Sequence, residues 1–160
     1  MLFAKLRAPK NRWNVPIRNF SAVEEGRLYR GALPDERGYR ALKQLGIETV
    51  VNLLDDEQRD NGLAARAAGL RWYHLALSET ELPTPDRMTT WLGWTQNEPL
   101  LPIYVHCTDG RIRTSAVIAA YRIGVTRWDN AKAYDEAVSF GFTGDGGHEA
   151  WANFIKTVKP

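Results

Sequence analysis

The stretch at residues 102–122, PIYVHCTDGRIRTSAVIAAYR, constrains the fold of this chain more than any other segment. It opens with a short apolar run at residues 103–105, which is typical of a buried strand. A polar segment containing Gly110 follows, and from Thr114 onward small and apolar residues predict a buried helix. A strand, a tight loop and a helix in this order aim several backbone N–H groups and a helix N-terminus at one point. The sequence therefore predicts an anion-binding site there.

The predicted anion site carries a thiol, Cys107, at its start and a guanidinium, Arg113, at its end. Helix N-termini and neighbouring cations favour the thiolate form of a cysteine, which is its nucleophilic form. An arginine fork holds phosphate oxygens in two parallel hydrogen bonds, and a lysine cannot reproduce this geometry. The pair therefore indicates a nucleophile for phosphoryl transfer. The alternative interpretation of Cys107 is a small buried core residue.

The segment HCTDGRIRT at residues 106–114 matches the pattern H-C-x-x-G-x-x-R-[S/T]. It resembles the signature loop of the cysteine-dependent phosphatases, in their dual-specificity branch. The segments NFSAVEEGRLYRGALPD and LKQLGIETVVNL, at residues 19–35 and 42–53, are similar to the opening of the compact atypical dual-specificity phosphatases. That group includes plant and fungal inositol-pyrophosphate phosphatases and many bacterial relatives. The resemblance covers residues 19–142.

The resemblance implies a role for each residue of this loop. Cys107 is expected to be the nucleophile, Arg113 to grip the phosphoryl oxygens, and His106 to orient the loop and support the thiolate. The Thr114 hydroxyl can donate a hydrogen bond to the Cys107 sulfur, which would help the thiolate leave when water attacks the phosphoenzyme. The phosphate-binding residues are expected to be Thr108, Asp109, Gly110, Arg111, Ile112 and Arg113. No metal or organic cofactor is expected.

The general acid has several candidates. The class that the loop resembles protonates the leaving group with an aspartate on a loop after the preceding strand, whereas this chain offers Glu79 and Glu81 there. Such a carboxyl must be protonated for the first step. Glu79 is the first candidate because it lies nearer the end of that strand, and either glutamate could equally be a solvated loop charge. Asp55 and Asp56, which follow another strand, are the next candidates, together with Asp109.

Several positions depart from the pattern of the relatives. Ser115 stands where many of them have glycine, and Asp109 places a negative charge in a loop that should attract anions. Arg111 occupies a place where inositide-directed relatives often carry lysine, while Thr108 stands where they often carry a second one. The loop therefore has only half of the basic side chains that a polyanionic substrate would favour.

Strand and helix patterns alternate along the chain. Apolar strands are predicted at residues 28–30, 49–54, 71–77 and 103–105. Helices are predicted after Pro34-Asp35, at residues 55–68, after Thr84, from Thr114, from Thr126 and near the end of the chain. The helix from Thr126 has a predicted apolar face of Trp128, Ala131, Tyr134 and Val138. The last helix has Trp151, Phe154, Ile155 and Val158 on one face. This alternation predicts an α/β fold, with a mostly parallel central sheet of four to five strands flanked by helices on both faces, similar to the dual-specificity phosphatases.

Two regions are predicted, a basic N-terminal arm at residues 1–18 and a single phosphatase domain at residues 19–160. The arm contains no acidic side chain. Its basic side chains are Lys5, Arg7, Lys10, Arg12 and Arg18. The arm is expected to be solvated, and a contact with an acidic surface or substrate is the alternative.

The composition limits the other classes of function. A formal net charge of +2 is too small to indicate nucleic-acid binding. A single cysteine excludes an internal disulfide and a multi-cysteine zinc site and fits a reducing compartment, and the three histidines lack metal-ligand spacing. No apolar run approaches the ~18 residues that a membrane span requires. A cytoplasmic protein is therefore expected.

The expected function is hydrolysis of phosphate monoesters on phosphotyrosine, phosphoserine or phosphothreonine of proteins, through a Cys107 phosphoenzyme. One alternative is the same chemistry on inositol polyphosphates or phosphoinositides, so the expected partner is a phosphorylated protein or a small phosphorylated metabolite. A second alternative, permitted by Asp109 and Ile112, is a phosphate-binding module without catalysis. A sulfurtransferase or an arsenate reductase could share the loop geometry, but the flanking resemblance argues against both.

Overall fold

The computed structural model describes residues 11–56 and 62–160, which contain five strands and six α-helices. The strands are β1 (Ser21–Glu24), β2 (Leu28–Gly31), β3 (Thr49–Asn52), β4 (Arg71–His74) and β5 (Ile103–His106). The helices are α1 (Glu36–Leu45), α2 (Leu63–Ala67), α3 (Pro85–Thr95), α4 (Arg113–Gly124), α5 (Asn130–Ser139) and α6 (Glu149–Thr157). A short 3-10 turn at Glu98–Leu100 precedes β5. Within the described ranges, no helix has the length and apolar character needed to cross a bilayer.

The strands form one sheet in the order β1-β2-β5-β3-β4. Strands β2, β5, β3 and β4 run parallel, and β1, which the sequence pattern does not predict, pairs antiparallel with β2 at the edge. The prediction of a mostly parallel sheet of four to five strands is confirmed. Because β5 lies between β2 and β3, Cys107 leaves the middle of the sheet at the carboxyl edge, where parallel sheets bind their ligands.

Two apolar cores lie on the two faces of the sheet. Ile103 and Val105 of β5 belong to the core beneath helices α3 to α6, whereas Tyr104 belongs to the core beneath α1 and α2. All three residues are fully buried, as expected for successive side chains of a central strand that point to opposite faces. The predicted helix layers on both faces are therefore confirmed.

Helix α5 begins later than predicted. The predicted start at Thr126 is wrong, because Arg127 adopts a positive φ of 61° that a helix does not accommodate. The helix starts after Asp129, whose carboxylate accepts a hydrogen bond from the Lys132 N–H at 2.8 Å and caps the first turn.

The predicted apolar face of α5 is right at Tyr134, which packs against the core, and wrong at Ala131 and Val138. Ala133 and Ala137 are buried, whereas Ala131 is exposed and Val138 is 49% exposed. Small side chains let two packed helices approach closely, so the two alanines form the buried centre of the face and Tyr134 packs beside them. Of the helix predicted at residues 55–68, only α2 is helical, and residues 57–61 lie outside the described residues.

The predicted N-terminal arm lies partly outside the described residues, which begin at residue 11. Val15 and Ile17 are buried in the core beneath α1 and α2. The Trp13 ring packs edge-on against Phe20 and Tyr29, with centroid distances of 6.0 and 5.7 Å. The chain from Trp13 onward is therefore packed against the domain.

Candidate active site

Cys107 is 3% exposed and lines a small cavity at the carboxyl edge of the sheet. This cavity has a volume of about 120 Å³. It is lined by Glu79, Cys107, Thr108, Asp109, Arg111, Ile112, Arg113, Gly141, Thr143 and His148. A larger groove of about 480 Å³ lies between residues 13–16 and α1, but its lining residues carry no thiol or hydroxyl group. The predicted chemistry is therefore concentrated at the smaller cavity.

In the backbone of residues 107–113, called here the 107–113 loop, four successive carbonyl groups accept hydrogen bonds from residues that lie outside the loop. The donors are the His106 ring Nδ1–H to the Cys107 carbonyl (2.9 Å), the Leu33 N–H to Thr108 (3.0 Å), the Asn19 Nδ2–H to Asp109 (2.9 Å) and the Arg30 Nη2–H to Gly110 (2.9 Å). The histidine contact requires the tautomer that carries its hydrogen on Nδ1. The peptide bonds of the loop are trans, so each C=O and the following N–H point in opposite directions. The N–H groups of residues 108–111 therefore point away from these donors and towards the concave side of the loop.

Gly110 allows the loop to press against the end of β2. Its φ of 74° lies in the left-handed region, which glycine adopts without strain. A Cβ atom at this position would lie 2.6 Å from both the carbonyl carbon and the carbonyl oxygen of Gly31. The close approach is what brings the Gly110 carbonyl within reach of Arg30.

The Cys107 sulfur accepts a hydrogen bond of 3.1 Å from Thr114 Oγ1 in the first turn of α4. Arg113, the first residue of α4, has a side chain that is only 7% exposed. Its Nη1 donates to the Leu77 carbonyl at 3.1 Å and to Asp55 Oδ1 at 3.2 Å. These contacts orient the guanidinium at the cavity that contains the thiol.

Asp109 forms ion pairs at the rim of the cavity. Arg18 Nη2 lies 3.0 Å from its Oδ1, and Arg111 Nη2 lies 3.3 Å from its Oδ2. Partial burial raises the pKa of this carboxyl, but the hydrogen bonds from Arg18 and Arg111 outweigh that effect and hold the pKa below its usual value. The negative charge that the sequence places in the loop is therefore paired with two cations.

The two candidate acids occupy different places. Glu79 lines the cavity, and its backbone carbonyl accepts a hydrogen bond of 3.0 Å from the indole N–H of the buried Trp151. Its Oε1 lies 3.9 Å from Nε2 of His148. Glu81 is exposed and is not among the described residues that line the cavity. The structure thus brings Glu79, and not Glu81, together with Cys107.

Comparison with known proteins supports the resemblance seen in the loop. The model of a family described as the tyrosine phosphatase family matches residues 14–159. The chain belongs to the tyrosine phosphatase family. The matched range contains the whole 107–113 loop and all twelve helical and strand segments named above.

Two curated relatives of this tyrosine phosphatase family member differ in their named substrates. The dual specificity protein phosphatase TpbA of Pseudomonas aeruginosa is 31% identical over 117 residues, which cover 72% of this chain and 51% of TpbA. The inositol diphosphatase SIW14 of Saccharomyces cerevisiae is 27% identical over 138 residues, which cover 82% of this chain and 48% of SIW14. The chain therefore spans about half the length of the curated relatives it matches.

Solved structures of the same two relatives share the fold. The core catalytic domain of the PP-IP phosphatase SIW14 in complex with citrate has a TM-score of 0.75 at 25% identity and covers 89% of this chain and 86% of that one. A cysteine-to-serine variant of P. aeruginosa TpbA in complex with pTyr has a TM-score of 0.73 at 26% identity and covers 86% of this chain and 83% of that one. The predicted fold similar to dual-specificity phosphatases is confirmed.

Several side chains that contact the site of this tyrosine phosphatase family member lie outside the signature motif. Arg30 carries a signal, because a charged residue interrupts a short apolar strand pattern. Arg18 and Asn19 carry no local signal, since they reach Asp109 across 91 and 90 positions. His148 lines the cavity from the turn before α6, where the sequence has no recognisable motif.

Proposed function

We propose that this protein is a cysteine-dependent phosphatase that hydrolyses phosphate monoesters through a phosphoenzyme on Cys107. The observation that carries the proposal is the 107–113 loop. Its carbonyl groups accept hydrogen bonds from residues outside the loop, and its two ends carry Cys107 and Arg113. A concave ring of N–H donors beside a guanidinium suits the terminal oxygens of a phosphoryl group. A module that only binds phosphate has no need of the thiol.

In the first step the Cys107 thiolate attacks phosphorus in line with the leaving oxygen. The P–S bond forms as the P–O bond to the leaving group breaks, and the loop N–H groups and Arg113 stabilise the charge on the remaining oxygens. Glu79 donates the proton that the leaving oxygen needs. The anchoring of its backbone by Trp151 at the cavity supports this assignment.

In the second step a water molecule attacks phosphorus, giving its proton to the Glu79 carboxylate. The new P–O bond forms as the P–S bond breaks, which releases inorganic phosphate and regenerates the thiolate. The Thr114 hydroxyl, 3.1 Å from the sulfur, stabilises the departing thiolate by a charge-assisted hydrogen bond. Because the cycle needs a reduced thiol, we also propose that the enzyme works in the cytoplasm.

Phosphotyrosine, phosphoserine or phosphothreonine side chains of proteins are the substrates that we propose first. The cavity of about 120 Å³ is well below the ~300–1,000 Å³ of sites that enclose a whole small ligand. It therefore suits a phosphoryl group whose carrier stays at the surface. TpbA, a relative named as a dual specificity protein phosphatase, supports this class, as does the complex of its variant with pTyr.

Inositol phosphates are the second candidate substrates, and the observation that favours them is the pair of arginines at the rim. Arg111 lines the cavity, and both Arg111 and Arg18 are more than half exposed and available to a further phosphate group. The relative SIW14 is named as an inositol diphosphatase. Asp109 opposes this candidate, since its carboxylate already engages both guanidinium groups.

The test is phosphate release by the purified chain in buffer that contains EDTA. The substrates are p-nitrophenyl phosphate, peptides with each of the three phosphorylated residues, and a set of inositol phosphates. The wild type should act on p-nitrophenyl phosphate and on at least one phosphopeptide. Higher kcat/KM on an inositol phosphate than on every phosphopeptide would favour the second candidate. Intact phosphate binding without any turnover would leave only a binding module.

The matched control is Cys107→Ser, which keeps the shape of the loop but supplies no thiolate near neutral pH. This variant should lose turnover and retain phosphate binding. Residual turnover within about tenfold of the wild type would contradict the phosphoenzyme mechanism.

A further inference from the structure

Arg30 is a fully buried cation directly behind the 107–113 loop. It lies on β2, beside Val105 of the central strand, and is 1% exposed. Its Nη2 donates to the Gly110 carbonyl at 2.9 Å and to Ser115 Oγ at 2.6 Å. The guanidinium carbon also lies 3.8 Å from the centroid of the Phe140 ring, so the group is enclosed between the loop and the end of α5.

The burial of Arg30 is costly for the fold. Among the described residues, neither its Nε nor its Nη1 has a hydrogen-bond partner. Loss of hydration lowers the pKa of Arg30 to about 10, which leaves the side chain charged at neutral pH. Donors that give up hydration without a hydrogen-bond partner among the described residues lower stability, so packing alone does not account for this arginine.

The contact with the Gly110 carbonyl fixes one peptide unit of the loop. In a trans peptide the carbonyl and the next N–H are antiparallel, so the carbonyl that faces Arg30 sends the Arg111 N–H towards the cavity. If this peptide rotated, a carbonyl oxygen would face the bound anion and repel it. The hydrogen bond to Ser115 ties the same guanidinium to the first turn of α4.

We propose, on the basis of the proposed function, that Arg30 is a positioning residue. It holds the Gly110–Arg111 peptide with its N–H towards the phosphoryl group, and it places a positive charge behind that peptide. It does not touch the substrate. The anion affinity of the loop, and with it the rate of phosphoryl transfer, then depends on a side chain that the cavity does not expose.

The test measures anion binding by the loop separately from turnover. The chain has one cysteine, so alkylation by iodoacetamide reports on Cys107 alone. Inorganic phosphate should protect Cys107, and the half-protecting concentration measures its affinity. The variants are Arg30→Met, which removes the charge and the donors, and Arg30→Lys, which restores a charge and a donor. The matched control is Arg27→Met, because Arg27 directly precedes the same strand, β2, but its guanidinium pairs with Glu98 at 3.1 Å and does not contact the loop.

Arg30→Met should weaken phosphate protection about 10- to 100-fold and lower kcat as well as raise KM, as loss of an outer support for a functional group does. Arg30→Lys should recover part of the loss, and Arg27→Met should change protection by less than about twofold. Equal protection in folded Arg30→Met and wild type, or an equal loss in Arg27→Met, would overturn the inference. Wild-type protection without turnover would instead contradict the proposed function.

Thermal unfolding of each variant separates loss of the fold from loss of anion binding. Ser115→Ala provides the second test, since it removes one acceptor at 2.6 Å and leaves the buried arginine in place. It should weaken phosphate protection in the same direction, by about 10-fold, which is the value of one hydrogen bond to a charged group at the lower end of its range. Unchanged protection in a folded Ser115→Ala variant would also overturn the inference.

Discussion

Asp55 Oδ1 lies 3.2 Å from Nη1 of Arg113, the guanidinium assigned to the phosphoryl oxygens. The aspartate side chain is 58% exposed, whereas that of Arg113 is 7% exposed. A carboxylate at this distance orients the arginine, but it also repels an incoming dianion. Phosphate therefore meets an arginine that already has an anionic partner.

Asp55→Asn should bind inorganic phosphate about 2- to 5-fold more tightly, because it removes a negative charge that repels the phosphate. The size of that repulsion is similar to the energy of a partly exposed ion pair. The inhibition constant of phosphate against p-nitrophenyl phosphate turnover measures this. Asp56→Asn makes the same change of charge one residue further along and should have a smaller effect. A loss of kcat confined to poor leaving groups would instead identify Asp55 as the general acid.

Thr114→Val should slow hydrolysis of the phosphoenzyme, because the departing Cys107 thiolate loses its hydrogen-bond donor. A hydrogen bond to a charged group is worth about 1.5–3 kcal/mol, or roughly 10- to 100-fold in rate. Rapid mixing with p-nitrophenyl phosphate should show a burst of one equivalent followed by a slow steady state. Thr114→Ser keeps the hydroxyl and should behave like the wild type. An unchanged steady-state rate in the valine variant would exclude this role.

Arg113→Lys should cost more activity than Arg111→Ala on a simple aryl phosphate. The guanidinium of Arg113 is held at the cavity by Leu77 and Asp55, whereas Arg111 is half exposed at the rim. The two-pronged grip that lysine lacks is made in the transition state, so kcat should fall as well as kcat/KM. Steady-state kinetics of the two variants decide the assignment, and a larger loss in Arg111→Ala would reverse it.

Glu79→Gln should lose about 10²–10⁴ in rate on poor leaving groups and little on p-nitrophenyl phosphate, whose leaving group needs less protonation. Glu81→Gln is the matched control, because Glu81 lies on the same loop and is not among the described residues that line the cavity. A series of aryl phosphates with leaving groups of different basicity measures the contrast. Equal losses across the series would indicate a role in binding or folding.

Gly110→Ala should destabilise the protein more than Gly26→Ala. Both glycines have a positive φ, but a Cβ at Gly26 meets nothing within 4 Å, whereas a Cβ at Gly110 lies 2.6 Å from Gly31. The backbone effect costs about 1 kcal/mol at either site, and overpacking adds about 1–3 kcal/mol at Gly110 alone. Urea unfolding compares the two variants, and equal midpoints would contradict the close approach.

Local sequence signals predicted most of the fold. The buried β5 run, the helix starts after Asp35 and Thr84 and the α6 face depend on neighbouring residues, and the structure has all of them. Strand β1 has only four residues, one of them buried, and pairs with β2 at the edge, so its sequence has no strong pattern. Which face of α5 is buried depends on how closely that helix packs against α4, and the hydrophobicity of its residues does not predict that distance.

The site was predictable where its residues are contiguous. Cys107, Arg113 and Thr114 belong to one short motif, and the sulfur–hydroxyl contact lies where the motif predicts it. The outer contacts depend on strand order instead, because Arg30 reaches Gly110 only when β2 pairs with β5. Asp55 was predicted as a possible acid, and its contact with Arg113 follows from the neighbouring positions of β3 and β5.

The outer contacts of the 107–113 loop also determine when, during folding, the loop takes its final form. Asn19, Arg30 and Leu33 hold carbonyl groups that lie between 75 and 90 positions further along the chain. Contacts over such separations are slow to form because the intervening chain must first be closed into a loop. Residues 19–33 are synthesised early and therefore cannot form these hydrogen bonds until the loop has been synthesised. The loop in turn keeps its conformational freedom until residues 19–33 pack against it. Secondary structure should consequently return before phosphate affinity when the denatured chain refolds.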